Sequence, residues 1–211
     1  MNFKILFLLL ITFILLFSCQ NQTENKTTIE KTYSNHSEKL TAKSMTEKQD
    51  TALSFFVQQT IESLAKKDFD KLASLADQNG IRFSPYVNIS KDDLIILSSD
   101  INSISDSDSL LHWGIYDGSG EDIKLSFNAY FKRFIYSQNF IDIEPNYNQT
   151  KASGNNINNI KEFYPNSTVV EFYFPGTKKY EQMDWKALYL VFSKQNHSYK
   201  LKAIIHNQWT I

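Results

Sequence analysis

Cysteine is almost missing: Cys19 is the only one among 211 residues. An intrachain disulfide is therefore excluded. Histidine is scarce too. Of the four, His36, His112, His197 and His206, no two have ligand spacing, and no His-x-Glu or cysteine cluster accompanies them. A zinc site is not expected, and neither is any other metal or cofactor. An excess of positive charge is also lacking, since the formal net charge is −1. No global field exists to attract nucleic acid or an anionic membrane, so no nucleic-acid partner is expected. There is no Walker A phosphate loop. Asp117-Gly118-Ser119-Gly120 lacks the following Gly-Lys-Ser/Thr and reads as a hairpin turn.

A spanning apolar run is the next absence. Ile5 to Phe17 is apolar except for Thr12, which is shorter than the roughly 20 residues that a spanning helix needs. Lys4 precedes the run, and Ser18 and Cys19 follow it. Charge, a short apolar stretch and a small residue are the layout of a secretory signal. Leu16, Ser18 and Cys19 resemble the cleavage box of bacterial lipoproteins. That resemblance implies a signal peptide over 1–18 and Cys19 as the first mature residue. It also implies a diacylglycerol on the Cys19 sulfur and a further acyl chain on the new amino terminus. Two or more chains give stable anchoring, which a single chain does not. The lone thiol then has a purpose as a membrane anchor in the bacterial cell envelope, and cysteine catalysis is out.

Residues 20–48 hold few large apolar side chains beyond Ile29, Tyr33, Leu40 and Met45. Such a segment cannot bury enough surface to offset its ordering entropy. The expectation is a flexible stalk over 19–48, with a coil reach of roughly 30 Å.

From residue 49 onward the patterning changes. Leu53, Phe56, Val57, Ile61 and Leu64 form one helical face. A second helix over 69–76 turns Leu72, Leu75 and Ala76 inward and stops at Asn79-Gly80. Ile81, Phe83 and Pro85 alternate as a short strand or extended turn, and 98–109 reads as a loop or short helix. Leu111, Trp113 and Ile115 alternate before the Asp-Gly turn, and Ile123 and Leu125 after it, as in a hairpin. Ser126 is placed to cap a helix whose stripe is Phe127, Tyr130, Phe131, Phe134 and Ile135. Three strands over 168–174, 186–192 and 199–209 end the chain.

Helices followed by a long-stranded antiparallel end make an α+β order. The stretch VQQTIESLAKKDFDKLASLADQNG and the ending ALYLVFSKQNHSYKLKAIIHNQWTI resemble the NTF2-like fold. That resemblance implies a cone, with N-terminal helices packed on a curved, mostly antiparallel sheet, over 49–211. The phrases RFSPY, WGIYDGSG, INNI and HNQWTI are similar to those of a set of uncharacterised bacterial lipoproteins. This second resemblance implies a fold and a location, but no chemistry.

Five residues are candidates for a pocket inside such a cone: Trp113, Glu171, Asp184, His206 and Trp209. Strand alternation places Leu201, Ala203, Ile205, Asn207 and Trp209 on one face. Lys200, Lys202, Ile204, His206 and Gln208 fall on the other, so His206 is expected at the surface unless a bulge shifts the register. Glu171 shares a face with Val169 and Tyr173. A carboxylate there can serve as an acid or base, while the plainer reading is a solvent-facing strand residue. Aromatics make up 14% of the chain. They are expected to fill the core, with Trp209 as buried as Trp113. The functional expectation is a binding or interaction module for a small apolar ligand or an envelope protein. The alternative is a small hydrolase, isomerase or dehydratase acting through Glu171, His206 or Asp184.

Overall fold

The computed structural model describes residues 50–152, 154 and 157–210. The signal peptide, Cys19 and the stalk expected over 19–48 lie outside the described residues. The described residues belong to a unit running from Glu47 to Ile211.

Helix α1 (Thr51–Lys66) starts at Asp50, whose carboxylate accepts from the Ala52 and Leu53 amides at 3.1 and 3.3 Å. Two orphan donors of the first turn are thereby satisfied. The helix ends at Lys67, which adopts φ 55°, and the Asp68 N–H returns to the Ser63 carbonyl at 2.8 Å. That closure leaves the chain free to begin α2 (Phe69–Leu75), capped by Asp68. The inward faces are those the periodicity predicts: Leu53, Val57, Ile61, Leu64, Leu72 and Leu75 are all buried. Asp50 also anchors α1 to the far end of the chain. Its carboxylate accepts from the Tyr199 hydroxyl at 2.7 Å and lies 3.0 Å from the Lys194 ammonium. Those two groups, Tyr199 first, hold its pKa down to about 2.

Strand β1 (Ile81–Ser84) follows, then β2 (Ile95–Ile96), α3 (Ile101–Ser105), and the hairpin β3 (Leu111–Ile115) and β4 (Asp122–Leu125). Ser126 caps α4 (Phe127–Tyr130), its side chain accepting from the Ala129 amide. The helix continues as a wider π turn over Phe131–Ile135, where the Tyr136 N–H reaches the Phe131 carbonyl at 2.8 Å. Then come β5 (Asn146–Tyr147), α5 (Ile160–Phe163), β6 (Ser167–Phe174), β7 (Lys186–Gln195) and β8 (Ser198–Gln208).

The six-stranded sheet runs β2-β1-β8-β7-β6-β5, and β3-β4 forms a separate pair. Neighbours in the large sheet are antiparallel except β1 and β8, which run parallel. The protein is thus α+β with a mostly antiparallel, open sheet. The parallel pair, β2, β5 and α5 are additions to what the sequence pattern predicts.

Both faces of the sheet are covered. On one, Val170, Phe172, Leu188, Leu190, Phe192, Leu201 and Ile204 meet α1, α2, α4 and the hairpin. On the other, Val169, Ala187, Tyr189, Val191, Ala203 and Ile205 lie under Val87, Ile89, Ala152 and Ile160. This explains why ALYLVF, residues 187–192, is unbroken by polar residues: a strand buried on both faces has no solvent side to mark.

One irregularity reorganises β8. Val191 pairs with Ala203 but Phe192 pairs with Leu201, so Lys202 is the extra residue of a bulge. Beyond it the faces exchange. Ile204 joins Leu201 on the helix-covered side, and Ala203 and Ile205 go to the other. His206 follows Ile204 inward and is fully buried, not at the surface with the lysines as strict alternation predicts. Trp209 lies past the last paired residue and is 39% exposed, against the expectation of a core position.

Candidate functional site

The helix-covered side of the sheet is filled by rings. Trp113 lies flat on Tyr130, centroids 3.8 Å apart and planes 9° apart. Phe83 meets Trp113, Phe127 and Tyr130 edge-on at 5.9 to 6.5 Å. The Trp113 indole N–H donates to the Leu125 carbonyl at 2.9 Å, so its polar atom is satisfied without a ligand. The helix-covered interior is packed, as the aromatic content predicts.

An open concavity lies instead beyond the end of β1. It measures about 630 Å³ and is walled by three stretches distant in sequence. The loop 85–93 contributes Pro85, Tyr86, Asn88, Ser90, Asp92 and Asp93. The hairpin contributes His112 and residues from Gly114 through the Asp117-Gly118 turn. Ile157 forms a lip on the remaining side.

Each wall is held by the residues around it. Arg82 Nη1 donates to the carbonyls of Ser90, Lys91 and Asp93 at 3.0 to 3.2 Å, and its guanidinium lies 5.1 Å from the Phe163 ring centroid. Asp93 accepts on Oδ2 from the Ser84 hydroxyl and, at 3.0 Å, from the Ser90 amide. Burial raises its carboxyl above the usual range, against those hydrogen bonds. Asn159 clips the Ile157 segment to the same loop. Its Oδ1 accepts from the Ile89 amide at 2.8 Å and its Nδ2 donates to the Ile89 carbonyl at 3.0 Å.

The hairpin meets the loop through a glycine. Gly114 has φ +120°, and a Cβ there would stand 3.5 Å from Pro85 Cγ. This left-handed residue sits where the β3–β4 register slips between His112 and Ile115. The slip turns Ile115 outward to 58% exposure, although its alternation with Trp113 predicts burial. Burial raises the Tyr86 hydroxyl pKa, an effect that the nearby Asp117 backbone opposes. Beneath, Tyr86 and Tyr116 both lean on Phe134, at 6.1 and 6.4 Å.

The five residues expected to share a pocket are not brought together. Trp113 and His206 lie in the helix-covered core, linked through Tyr130 and Phe134 at 3.8, 5.0 and 5.6 Å. Glu171 points to the opposite face, since its neighbours Val170 and Phe172 belong to the helix-covered core. It is fully buried, not solvent-facing. Its carboxylate accepts from the amides of Lys151 and Ala152 at 2.7 and 3.0 Å, from the Tyr189 hydroxyl at 2.9 Å, and from Asn146 Nδ2 at 3.4 Å. Asp184 ties off the loop before β7, accepting from the Thr177 amide and hydroxyl at 2.6 and 2.9 Å, and those bonds lower its pKa. Trp209 is at the edge.

Tyr86, Tyr116, Asp92, Asp93 and Ile157 were missed as site residues. For Tyr86, Tyr116 and Ile157 the signal lies in the phrases RFSPY, WGIYDGSG and INNI, each of which supplies part of the cleft wall, while Asp92 and Asp93 fall outside all three. Among the described residues no group of His, Cys, Asp and Glu is arranged to hold a metal ion, and no helix is long and apolar enough to cross a membrane.

No family model, no curated protein and no solved structure matches this chain.

Proposed function

We propose that this is a lipid-anchored protein of the bacterial cell envelope, with a flexible stalk and an NTF2-like α+β domain. In this reading the domain binds a small ligand or the exposed segment of an envelope partner and does no chemistry on it. The anchor rests on Leu16, Ser18 and Cys19 after a short apolar run. The NTF2-like reading draws support from two N-terminal helices lying against an antiparallel β6-β7-β8 sheet.

The observation that carries the binding role is the contrast between a filled interior and an open cleft. The cleft has the volume of ordinary ligand pockets, roughly 300–1,000 Å³. Its walls combine apolar surface from Pro85, Ile115 and Ile157 with a few fixed polar groups. An enzyme working through Glu171, His206 or Asp184 would need them exposed to a substrate. Glu171 and His206 are sealed, and Asp184 is engaged by Thr177.

An NMR fragment screen tests this reading. Binding fragments are expected to shift amides of 85–93 and 112–120. Shifts confined to the ring-packed interior around Trp113 and Phe134 would overturn it.

A further inference from the structure

We propose that the cleft takes an organic cation, an ammonium or guanidinium group carried on an apolar body. This inference rests on the reading of the cleft as the ligand site and names its ligand class. The charge of the lining is one-sided. Asp92 and Asp93 stand on the loop wall and Asp117 on the hairpin turn, and among the described lining residues there is no lysine or arginine. His112 is present, but its Nε2 is engaged by Asp122 Oδ1 at 3.1 Å. Asp92 and Asp117 are exposed while Asp93 is buried, and the Asp92 charge repels that of Asp93, so a cation seated against the loop wall relieves that repulsion.

Asp93 is the strongest of the three as a receptor. It is only 7% exposed, yet it lines the cleft, and the hydrogen bonds from Ser84 and Ser90 both fall on Oδ2. Neither of those bonds uses Oδ1, the oxygen assigned to the ligand, on a carboxylate that is already oriented. A pre-oriented acceptor loses little freedom on binding.

The rings supply the second half of the argument. Tyr86 and Tyr116 belong to the lining, and aromatic faces attract cations. The fold already uses this attraction, with the Arg133 guanidinium 4.7 Å from the Tyr116 centroid. Two guanidiniums compete with a ligand here: Arg133, and Arg82 behind the loop wall, whose Nη1 is already engaged by the Ser90, Lys91 and Asp93 carbonyls. The three carboxylates outnumber the two. The lips Ile115 and Ile157, 58% and 75% exposed, offer apolar contact to the body of the ligand.

The test uses three aryl probes on the full-length protein in nonionic detergent, followed by two-dimensional NMR. They are benzyltrimethylammonium, neutral benzyl alcohol and anionic phenylacetate. The cation is expected to shift the amides of Tyr86, Tyr116 and Asp117 and to bind at least about tenfold more tightly than benzyl alcohol. The double variant Asp92→Asn, Asp117→Asn should cut that preference by about threefold or more. Asn-Gly suits a turn as well as Asp-Gly, so this variant is expected to fold. Equal binding of benzyl alcohol or phenylacetate at the same amides would overturn the cation class and leave the cleft reading standing. No shift with any probe would also overturn the cation class, and the wider fragment screen then judges the cleft separately.

Discussion

The imidazole of His206 meets Phe134 edge-on, with ring centroids 5.6 Å apart and planes at 84°. The contact seals a titratable ring inside the helix-covered core. Nε2 lies 3.2 Å from Gln208 Oε1, an acceptor, so Nε2 carries the proton. Nδ1 has no hydrogen-bond partner. Burial pushes the pKa down to about 4 from an ordinary 6.5. Between those values the unfolded chain binds a proton that the folded chain refuses. Stability from this group is therefore complete above pH 6.5 and is lost as pH falls toward 4, by about 3 kcal/mol in all. Asp93 works in the opposite direction, because its raised carboxyl takes up a proton more readily when folded. The comparison that isolates His206 is wild type against His206→Leu, by denaturant unfolding at pH 7 and pH 4.5. The variant should lose about 2 kcal/mol less than wild type over that interval. Parallel losses would show that His206 is not the acid-sensitive group.

Trp113 and Trp209 should respond very differently to truncation. Trp113 is fully buried and stacked on Tyr130, so Trp113→Ala should cost about 3–5 kcal/mol. Trp209 is 39% exposed beyond the end of β8, and Trp209→Ala should cost about 1 kcal/mol or less. Urea unfolding of the two variants measures both. A loss near 3 kcal/mol at Trp209 would mean that the carboxyl-terminal segment packs more closely than its exposure implies.

The fate of Trp209 and His206 marks where the sequence stops being legible. The stripes of α1 and of the Phe127–Ile135 helix could be read directly, because one face is apolar and the other is not. The last three strands could be located from their composition. Their faces could not be assigned, because a double-sided sheet leaves no polar alternation, and the Lys202 bulge exchanges inside and outside for every later residue of β8. The cleft was legible only as phrases. Pro85, Gly114 and Ile157 carry no periodic signal, and their meeting depends on the parallel β1–β8 pair and the slip in the hairpin.

Gly114 should be intolerant of any side chain, for a backbone reason more than a steric one. Its φ of +120° is rarely adopted by L residues, while a Cβ would meet Pro85 Cγ at an ordinary 3.5 Å. Gly114→Ala should destabilise by about 1–3 kcal/mol. Its cleft amides should shift while those of α1 stay in place. A neutral variant would show that the hairpin slip can relax at no cost.

The proposed anchor predicts a clean chemical result at Cys19. With one thiol in the chain, Cys19→Ala removes the only site for a thioether-linked lipid. Cells fed radioactive palmitate should label the wild type and leave the variant unlabelled. The variant should also leave the membrane fraction or persist as an uncleaved precursor. Equal labelling of both would exclude Cys19 as the acylated residue.

Glu171 is the best place to ask what holds the second face of the sheet closed. Its carboxylate gathers the Lys151 and Ala152 amides and the Tyr189 hydroxyl, at 2.7, 3.0 and 2.9 Å. Burial and the nearby Glu171 charge raise the Tyr189 hydroxyl pKa strongly, so this hydroxyl stays a donor. Glu171→Ala would remove the acceptor from four donors, two of them backbone and the longest bond that from Asn146 Nδ2 at 3.4 Å, and each unsatisfied group costs about 1–3 kcal/mol. Allowing for water entering the space, the net loss should be about 3–5 kcal/mol. Glu171→Gln keeps the shape and one acceptor oxygen but turns the other into a donor facing an N–H. Its loss should be intermediate, about 1–3 kcal/mol. Amide exchange separates a local role from a global one. Protection at Lys151 and Ala152 should fall in Glu171→Gln while that of β7 and β8 changes only with overall stability. Unchanged protection at those two amides would mean that Ile160 and Phe163 hold the segment by apolar packing, and that the carboxylate is dispensable to it.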